Sequence, residues 1–498
     1  MSQPGPTLTR STFWFAAAKS LGYALAVALP LVLVRLLTQA EFGFYKQAFL
    51  IATTAVRMLP FGFGLSVFYF FPRYQDRQGE TALNVLLFNL AAGLLAFTAL
   101  AAFPGILVLA FGGPGLVNYA PLIGLVILTW IFSSFLETVA TALQDVTRST
   151  LFIVGAQLTK ALFMLSAALW NASLPALLWA ALLQGVVQSA VLVAYVRARF
   201  PGFWRRLDWG VFKVQFTYIA PLSLANLIYV FRSDLPGYFV AHHFPAAEFA
   251  IYAVGVLQLP LVGILQESVG AVLLPRINEL HHRGEFGELV RLLARATRKM
   301  SAIYWPCFAF FLMMAPQFIV AFYTRAYAAS APIFMVNLLI VPLAMLPLDP
   351  VFRTYTELRY YLLKLRLVLL AAMAAGLHFG IAWMGMLGAI GAVVLITFVE
   401  RCFHLWKVGQ TLRPRRQDLA PLLDMAKFAA AAALAAVPTL LVRYACAGYK
   451  PFWILVISAP VFGIAYAAAV LALRILSPEE KTMLWGALAR RQRPASWW

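Results

Sequence analysis

Of 498 residues, 62% are hydrophobic and 12% charged, and 39 Lys and Arg against 19 Asp and Glu leave a net charge of +20. A soluble globular chain carries about 25% charged residues, so this composition excludes a water-covered fold and requires lipid against much of the surface. The basic balance does not point to nucleic acid, because the charges lie in short segments between long apolar runs.

In hydrocarbon every backbone polar group needs an internal partner, so apolar runs of about 20 residues are read as helices. Fourteen follow in order. The first six are Phe13–Leu37, Phe44–Phe71, Thr81–Phe103, Tyr119–Leu143, Thr150–Trp170 and Leu174–Ala198. The next six are Val214–Phe239, Phe249–Leu274, Ile303–Tyr323, Ile333–Phe352, Tyr361–Met384 and Leu387–Val408, and the last two are Met425–Val442 and Phe452–Leu476. The first run is too long for a signal-peptide core and lacks a clear small-residue cleavage site, which makes it a retained helix. With the N-terminus in the cytoplasm, the inner segments hold 28 Lys and Arg and the outer loops three, Arg325, Arg443 and Lys450. A missed helix would swap the sides of everything after it, so the bias supports the count.

The longest outer loop, Pro104 to Asn118, has no charge, which leaves no polar outer domain for a membrane polymerase or ligase. No HExxH, P-loop or nucleophile elbow is found, and Cys307, Cys402 and Cys446 are isolated from one another in sequence. An enzyme is therefore not expected, nor a metal or cofactor. The longest inner link, 276–301, places Phe286, Leu289, Val290, Leu293 and Ala296 at helical spacing, the pattern of an amphipathic helix on the inner membrane face.

A short motif occurs twice. Ala40-Glu41-Phe42-Gly43-Phe44-Tyr45 and Ala247-Glu248-Phe249-Ala250-Ile251-Tyr252 each follow the first helix of a six-helix block. Each precedes a long helix ending in Pro-Arg, Pro72-Arg73 and Pro275-Arg276. Six is even, so the blocks share an orientation, the parallel-repeat plan of transporters. The expected organisation is an all-α membrane protein with lobes at 1–200 and 201–410, then two helices and a basic tail at 411–498.

The stretch "RLLTQAEFGFYKQAF", the following helix ending in "FPR", and "AVLLPRINELHHRGEFGELVRLLARATRK" resemble polysaccharide flippases (Wzx-like) of the MOP superfamily. The resemblance implies a MATE-like fold of two six-helix lobes about a cavity lined by helices 1, 2, 7 and 8. It also implies alternating-access transfer of a polyprenyl-pyrophosphate-linked oligosaccharide across the bacterial cytoplasmic (inner) membrane, for lipopolysaccharide or exopolysaccharide synthesis. Both termini would be cytoplasmic. The implied partners are the lipid-linked sugar, membrane lipids, a coupling proton or sodium ion and polysaccharide polymerases, with no nucleic acid and no cofactor. The alternatives are a cation-coupled MATE-like exporter and a lipid II flippase.

Ionised residues at mid-membrane cost about 2.5–3.5 kcal/mol each on insertion scales and are functional candidates. A pyrophosphate leaving water needs cations, and Arg grips its oxygens bidentately while Lys acts as a point charge. The expected substrate contacts are Lys19, Arg57, Arg232, Lys160 and Asn226, the last aligned with Lys19 by the repeat. The expected ion-coupling carboxylates are Glu267, Glu137 and Asp234. A bland reading stands beside each: Arg57 in a structural ion pair, Asp234 neutralising Arg232 despite their i,i+2 spacing, Glu267 as an intramembrane partner for a cation. Arg35 and Lys46 are expected to snorkel at the outer interface. Pro30, Pro60, Pro221, Pro260, Pro306 and Pro342 fall inside expected helices, and Gly385, Gly388 and Gly391 imply close helix packing.

Overall fold

The computed structural model describes residues 28–205, 208–355 and 357–476. Among the described residues the chain forms helices and turns without a strand, the arrangement that satisfies backbone amides in lipid. The described end of the first helix, α1, covers 28–36. Then come α2 (Gln39–Met58), α3 (Val67–Arg73), α4 (Gln78–Ala102), α5 (Gly105–Phe111), α6 (Ala120–Ser133), α7 (Phe135–Ala142), α8 (Val146–Trp170) and α9 (Leu174–Arg199). They are followed by α10 (Trp209–His243), α11 (Ala246–Gly255), α12 (Pro260–His282) and α13 (Phe286–Tyr323). The remainder comprises α14 (Ser330–Leu338), α15 (Ile340–Leu343), α16 (Asp349–Thr354), α17 (Leu358–Leu412), α18 (Leu423–Ala445) and α19 (Pro451–Ala472).

Ten helices among the described residues are long and apolar enough to cross a membrane, or eleven if the bent α10 is one span. Among the described residues several of the expected runs are interrupted, with Pro or Gly at the breaks. Expected helix 2 stops at Met58, where Phe61 and Gly62 take φ of 51° and 62°, and a 3-10 turn over Phe63–Ser66 leads into α3. Pro60 lacks the N–H that would continue the ladder. Expected helix 7 bends by 55° between Trp209–Pro221 and Asn226–His243. Expected helix 8 is two helices, α11 and α12, the second beginning at Pro260. Expected helix 10 is divided into α14, α15 and α16, with Pro342 in the second. Pro306, by contrast, sits inside the unbroken α13, which joins expected helix 9 to most of the inner link.

The 55-residue α17 reverses direction. Gly385 has φ 58° and ψ −135°, outside any helix. A Cβ on Gly388 would lie 1.8 Å from the Gly380 carbonyl oxygen, and Gly376 stands opposite Ala392 at 3.4 Å. In a straight helix, residues eight apart are separated by about 12 Å along the axis, so the expected helices 11 and 12 are the arms of an antiparallel hairpin. Gly380 and Gly388 let the backbones touch. Gly391, by contrast, has no neighbour within 4 Å of its Cβ position, so the close packing expected there is absent. Gly388→Ala is therefore expected to cost about 1–3 kcal/mol by overpacking, read as a lower unfolding midpoint in detergent, whereas Gly391→Ala leaves the midpoint unchanged.

Contacts divide the chain into two units. The first runs to Pro260 and includes Tyr360–Ile396, and the second holds Leu261–Arg359 and the chain from Thr397. The first has a core of Phe63, Val67, Phe71, Phe135, Val139 and Leu192. The break after α2 is anchored there: the Ser223 hydroxyl donates to the Phe61 carbonyl, Gln215 Nε2 donates to Ser66 Oγ at 3.1 Å, and Asn84 Nδ2 donates to Gln215 Oε1 at 2.9 Å. These bonds satisfy the polar groups that the break exposes.

Both copies of the repeated motif open a helix in this unit. Thr38 caps α2 through a capping box, its hydroxyl accepting from the Glu41 N–H while the Glu41 carboxylate accepts from the Thr38 N–H at 3.0 Å. Phe42, Tyr45, Phe249 and Tyr252 are all buried, and Gly43 lies directly against the Ala246 backbone.

In the second unit, Phe428, Ala431, Val470 and Ile475 form a cluster with Trp305 and Tyr466, joining α18 and α19 to α13. Leu289, Val290 and Leu293 of the amphipathic stretch are buried, whereas Phe286 is exposed. Protein thus covers much of the face expected to meet lipid. Arg298 donates to Asp424 at 2.7 Å and to the Ile475 carbonyl at 2.7 Å.

Candidate functional site

Two of the expected site residues meet on α10, which also carries a third, Arg232. Arg57, in the last turn of α2, donates through Nη2 to Asp234 Oδ2 at 2.5 Å. Thr54, one turn earlier, donates to the same oxygen at 2.6 Å. Asp234 is 9% exposed and Arg57 47%, so the carboxylate is sequestered while much of the guanidinium remains open. Asp234 therefore pairs across to α2. Its i,i+2 spacing from Arg232 points the two side chains apart, as helix geometry requires.

Arg232 is buried, its guanidinium carbon 6.0 Å from the Tyr229 ring centroid. The same ring has Arg366 at 5.5 Å. A guanidinium over an aromatic face is attracted by the ring quadrupole. The sequence reading counted Arg366 among the cytoplasmic charges; its place five residues into the expected helix Tyr361–Met384 was the signal for a second role. Tyr229 itself is half-exposed. Asn226 is exposed at the start of the outer arm of α10.

Lys160 stands apart from this group. Its Nζ lies 4.7 Å from the Trp130 ring centroid and 5.9 Å from that of Phe49. Lys46, expected to snorkel, has its Nζ 5.3 Å from Phe42 and 5.9 Å from Tyr45. Glu137 is exposed on α7, and Glu267 is exposed on α12 in the second unit, beside Gln266, whose Nε2 donates to the Ala344 carbonyl at 3.3 Å. Lys19 lies outside the described residues.

Broken apolar spans with charged side chains held between them define a multi-pass membrane protein. Its fold is similar to those of solved MOP superfamily transporters. The structure described as the lipid II flippase MurJ in an inward closed conformation superposes with a TM-score of 0.69 at 12% identity, over 92% of this chain and 98% of that one. An inward-facing multidrug resistance MATE family transporter gives 0.64 at 15% identity, over 79% and 94%. A MOP superfamily transporter from Pyrococcus furiosus, described as having a binding pocket of reverse polarity, gives 0.56 at 13% identity, over 81% and 96%. Comparison with curated protein sequences finds no match. The profile of the family described as "Polysaccharide biosynthesis protein" matches residues 32–332, and the chain belongs to that family.

Proposed function

We propose that the protein moves a polyprenyl-pyrophosphate-linked oligosaccharide from the inner to the outer leaflet of a bacterial cytoplasmic membrane by alternating access. The observation that carries this reading is the placement of Arg57, Arg232 and Arg366 on and around one membrane-spanning helix, where the buried Asp234 engages Arg57. Asp234 occupies one terminal nitrogen of Arg57, and a guanidinium has five N–H donors. The half-exposed Arg57 thus retains donors for phosphate oxygens, and the exposed Tyr229 ring offers a face to a sugar. An inside-negative potential favours outward movement of negative charge by about 2.3 kcal/mol per charge per 100 mV. Both termini lie in the cytoplasm on this reading, as the distribution of Lys and Arg requires.

Vesicles containing the purified protein and a labelled polyprenyl-pyrophosphate-linked sugar test the proposal. Arg232→Ala and Arg366→Ala are each expected to slow translocation at least tenfold with protein levels maintained. Undiminished translocation in both variants defeats the assignment. A second reading, a cation-coupled exporter, draws on the buried Asp234. Export of cationic dyes without lipid transfer would favour it.

A further inference from the structure

We propose that Tyr218, Tyr69 and Arg73 form a docking platform in the first unit for a sugar ring that carries a carboxylate: the ring lies on Tyr218 and the carboxylate is taken by Arg73. The inference rests on the reading of the protein as a carrier of lipid-linked saccharide, and it adds the kind of sugar and the residues that receive it.

The chain from α2 to α3 runs against α10 in a seam. Along it Arg57 meets Asp234, Phe61 stacks on Phe216 with centroids 5.8 Å apart, and Tyr69 stacks on Tyr218 at 4.3 Å with an interplanar angle of 29°. The Phe70 ring stands edge-on to Tyr218 at 5.9 Å. Tyr218 nevertheless stays 46% exposed. The Arg73 guanidinium lies on the same Tyr69 ring, 3.8 Å from its centroid, and Nη1 donates to the Tyr69 carbonyl at 3.3 Å. Tyr218 and Arg73 are thus adjacent, each resting on Tyr69. By the distribution of Lys and Arg, the Arg73 end of the seam is the cytoplasmic one, where a lipid-linked sugar is first met.

Arg73 is placed to receive an anion. Its neighbour Arg77 pairs with Glu80 at 4.0 Å and Asp208 at 3.4 Å, whereas among the described residues Arg73 has no carboxylate partner. The side chain is exposed, and a guanidinium has five N–H donors, so most remain for a ligand. Stacking on Tyr69 holds its plane before the ligand arrives, which lowers the ordering cost of binding. The fork then matches a carboxylate bidentately. Tyr218 supplies the other half of the site. The negative face of an aromatic ring attracts the polarised C–H bonds on the apolar side of a sugar, and phenol hydroxyls exchange hydrogen bonds with sugar hydroxyls. A phospholipid would use the cation alone, because its acyl chains need apolar surface but no flat ring with a polar edge. An exposed ring face beside a guanidinium without a carboxylate partner therefore favours an acidic sugar.

The test uses the full-length protein in detergent and saturation-transfer NMR, with methyl glucuronide and methyl glucoside as probes. The glucuronide is expected to give a saturable signal and to bind about fivefold more tightly than the glucoside, the upper range for an exposed ion pair. Arg73→Gln is expected to erase that preference. Tyr218→Ala is expected to abolish the saturable signal of both sugars, and Tyr218→Phe, which keeps the ring face, to retain it. Should Tyr218→Ala fail to fold, the exposed Arg73 decides. No saturable glucuronide signal in the wild type, an undiminished preference in Arg73→Gln, or a saturable response to phosphatidylglycerol in place of the sugar would overturn the proposal. Vesicles holding a polyprenyl-pyrophosphate-linked glucuronosyl saccharide separate this inference from the transport reading. Translocation that is unchanged in Arg73→Gln and Tyr218→Ala keeps the transport reading and overturns the platform. Glucuronide binding that needs Arg73, without any translocation by the wild type, keeps the saccharide site and overturns the transport reading.

Discussion

Replacing Arg57 with alanine is expected to lower stability by about 1–3 kcal/mol and to reduce translocation at least tenfold. The stability figure lies between two limits. Removing one partner of a buried pair costs about 3–5 kcal/mol, because the other charge is stranded, whereas exposed pairs are worth about 1 kcal/mol or less. Here Asp234 is 9% exposed and Arg57 47%, so the cost falls between. Without Arg57 the Asp234 carboxylate keeps the Thr54 hydroxyl as its donor at 2.6 Å. The double variant Arg57→Ala, Asp234→Ala separates packing from transport. It leaves no stranded carboxylate, so stability is expected to recover relative to Arg57→Ala, as a double-mutant cycle would report. Translocation is expected to stay low, because the cation offered to phosphate is still missing. Recovery of both quantities would reduce the pair to a structural tie between α2 and α10.

The second large effect is expected at Gly43. A Cβ there would stand 1.8 Å from the Ala246 carbonyl oxygen and 2.4 Å from its carbon. Neither backbone has room to retreat, because Phe42 and Tyr45 on one side and Phe249 and Tyr252 on the other are buried anchors. Gly43→Val is expected to cost about 3 kcal/mol, the upper range for overpacking. The change should be visible as poor recovery of folded protein and a depressed unfolding midpoint. Gly105, which has no neighbour within 4 Å of its Cβ position, serves as the control when changed to alanine. A Gly43→Val protein as stable as the wild type would mean that the two motif copies do not bear on one another.

Much of the fold was legible because lipid leaves a chain few choices. Apolar length marked the spans, and proline marked their breaks at Pro60, Pro221, Pro260 and Pro342. The reversal at Gly385 was visible as the gap between two runs, although the chain remains helical up to it on either side. Pairing was not legible. Asp234 and Arg57 are 177 residues apart, and local periodicity says nothing about which distant helix a side chain meets. Helical spacing did show that Asp234 and Arg232 diverge, but not where each turns. Lys46 was judged by depth alone, whereas its ammonium lies by the Phe42 and Tyr45 rings of its own helix. Arg366 was read as a topological charge because a basic residue near the start of a span looks the same whether it faces water or Tyr229.

The assignment of Tyr360–Ile396 to the first unit has a consequence for biogenesis. At about 5–20 residues per second, the ribosome needs roughly 7–27 s to pass from Pro260 to Ile396. During that interval the nascent chain has delivered most of the first unit to the insertion machinery, but not the segment carrying Arg366. The incomplete unit must wait in the bilayer with Tyr229 uncovered by its late-arriving partner, so chains stalled before residue 360 should be preferred prey for membrane proteases, and those released after residue 396 should not.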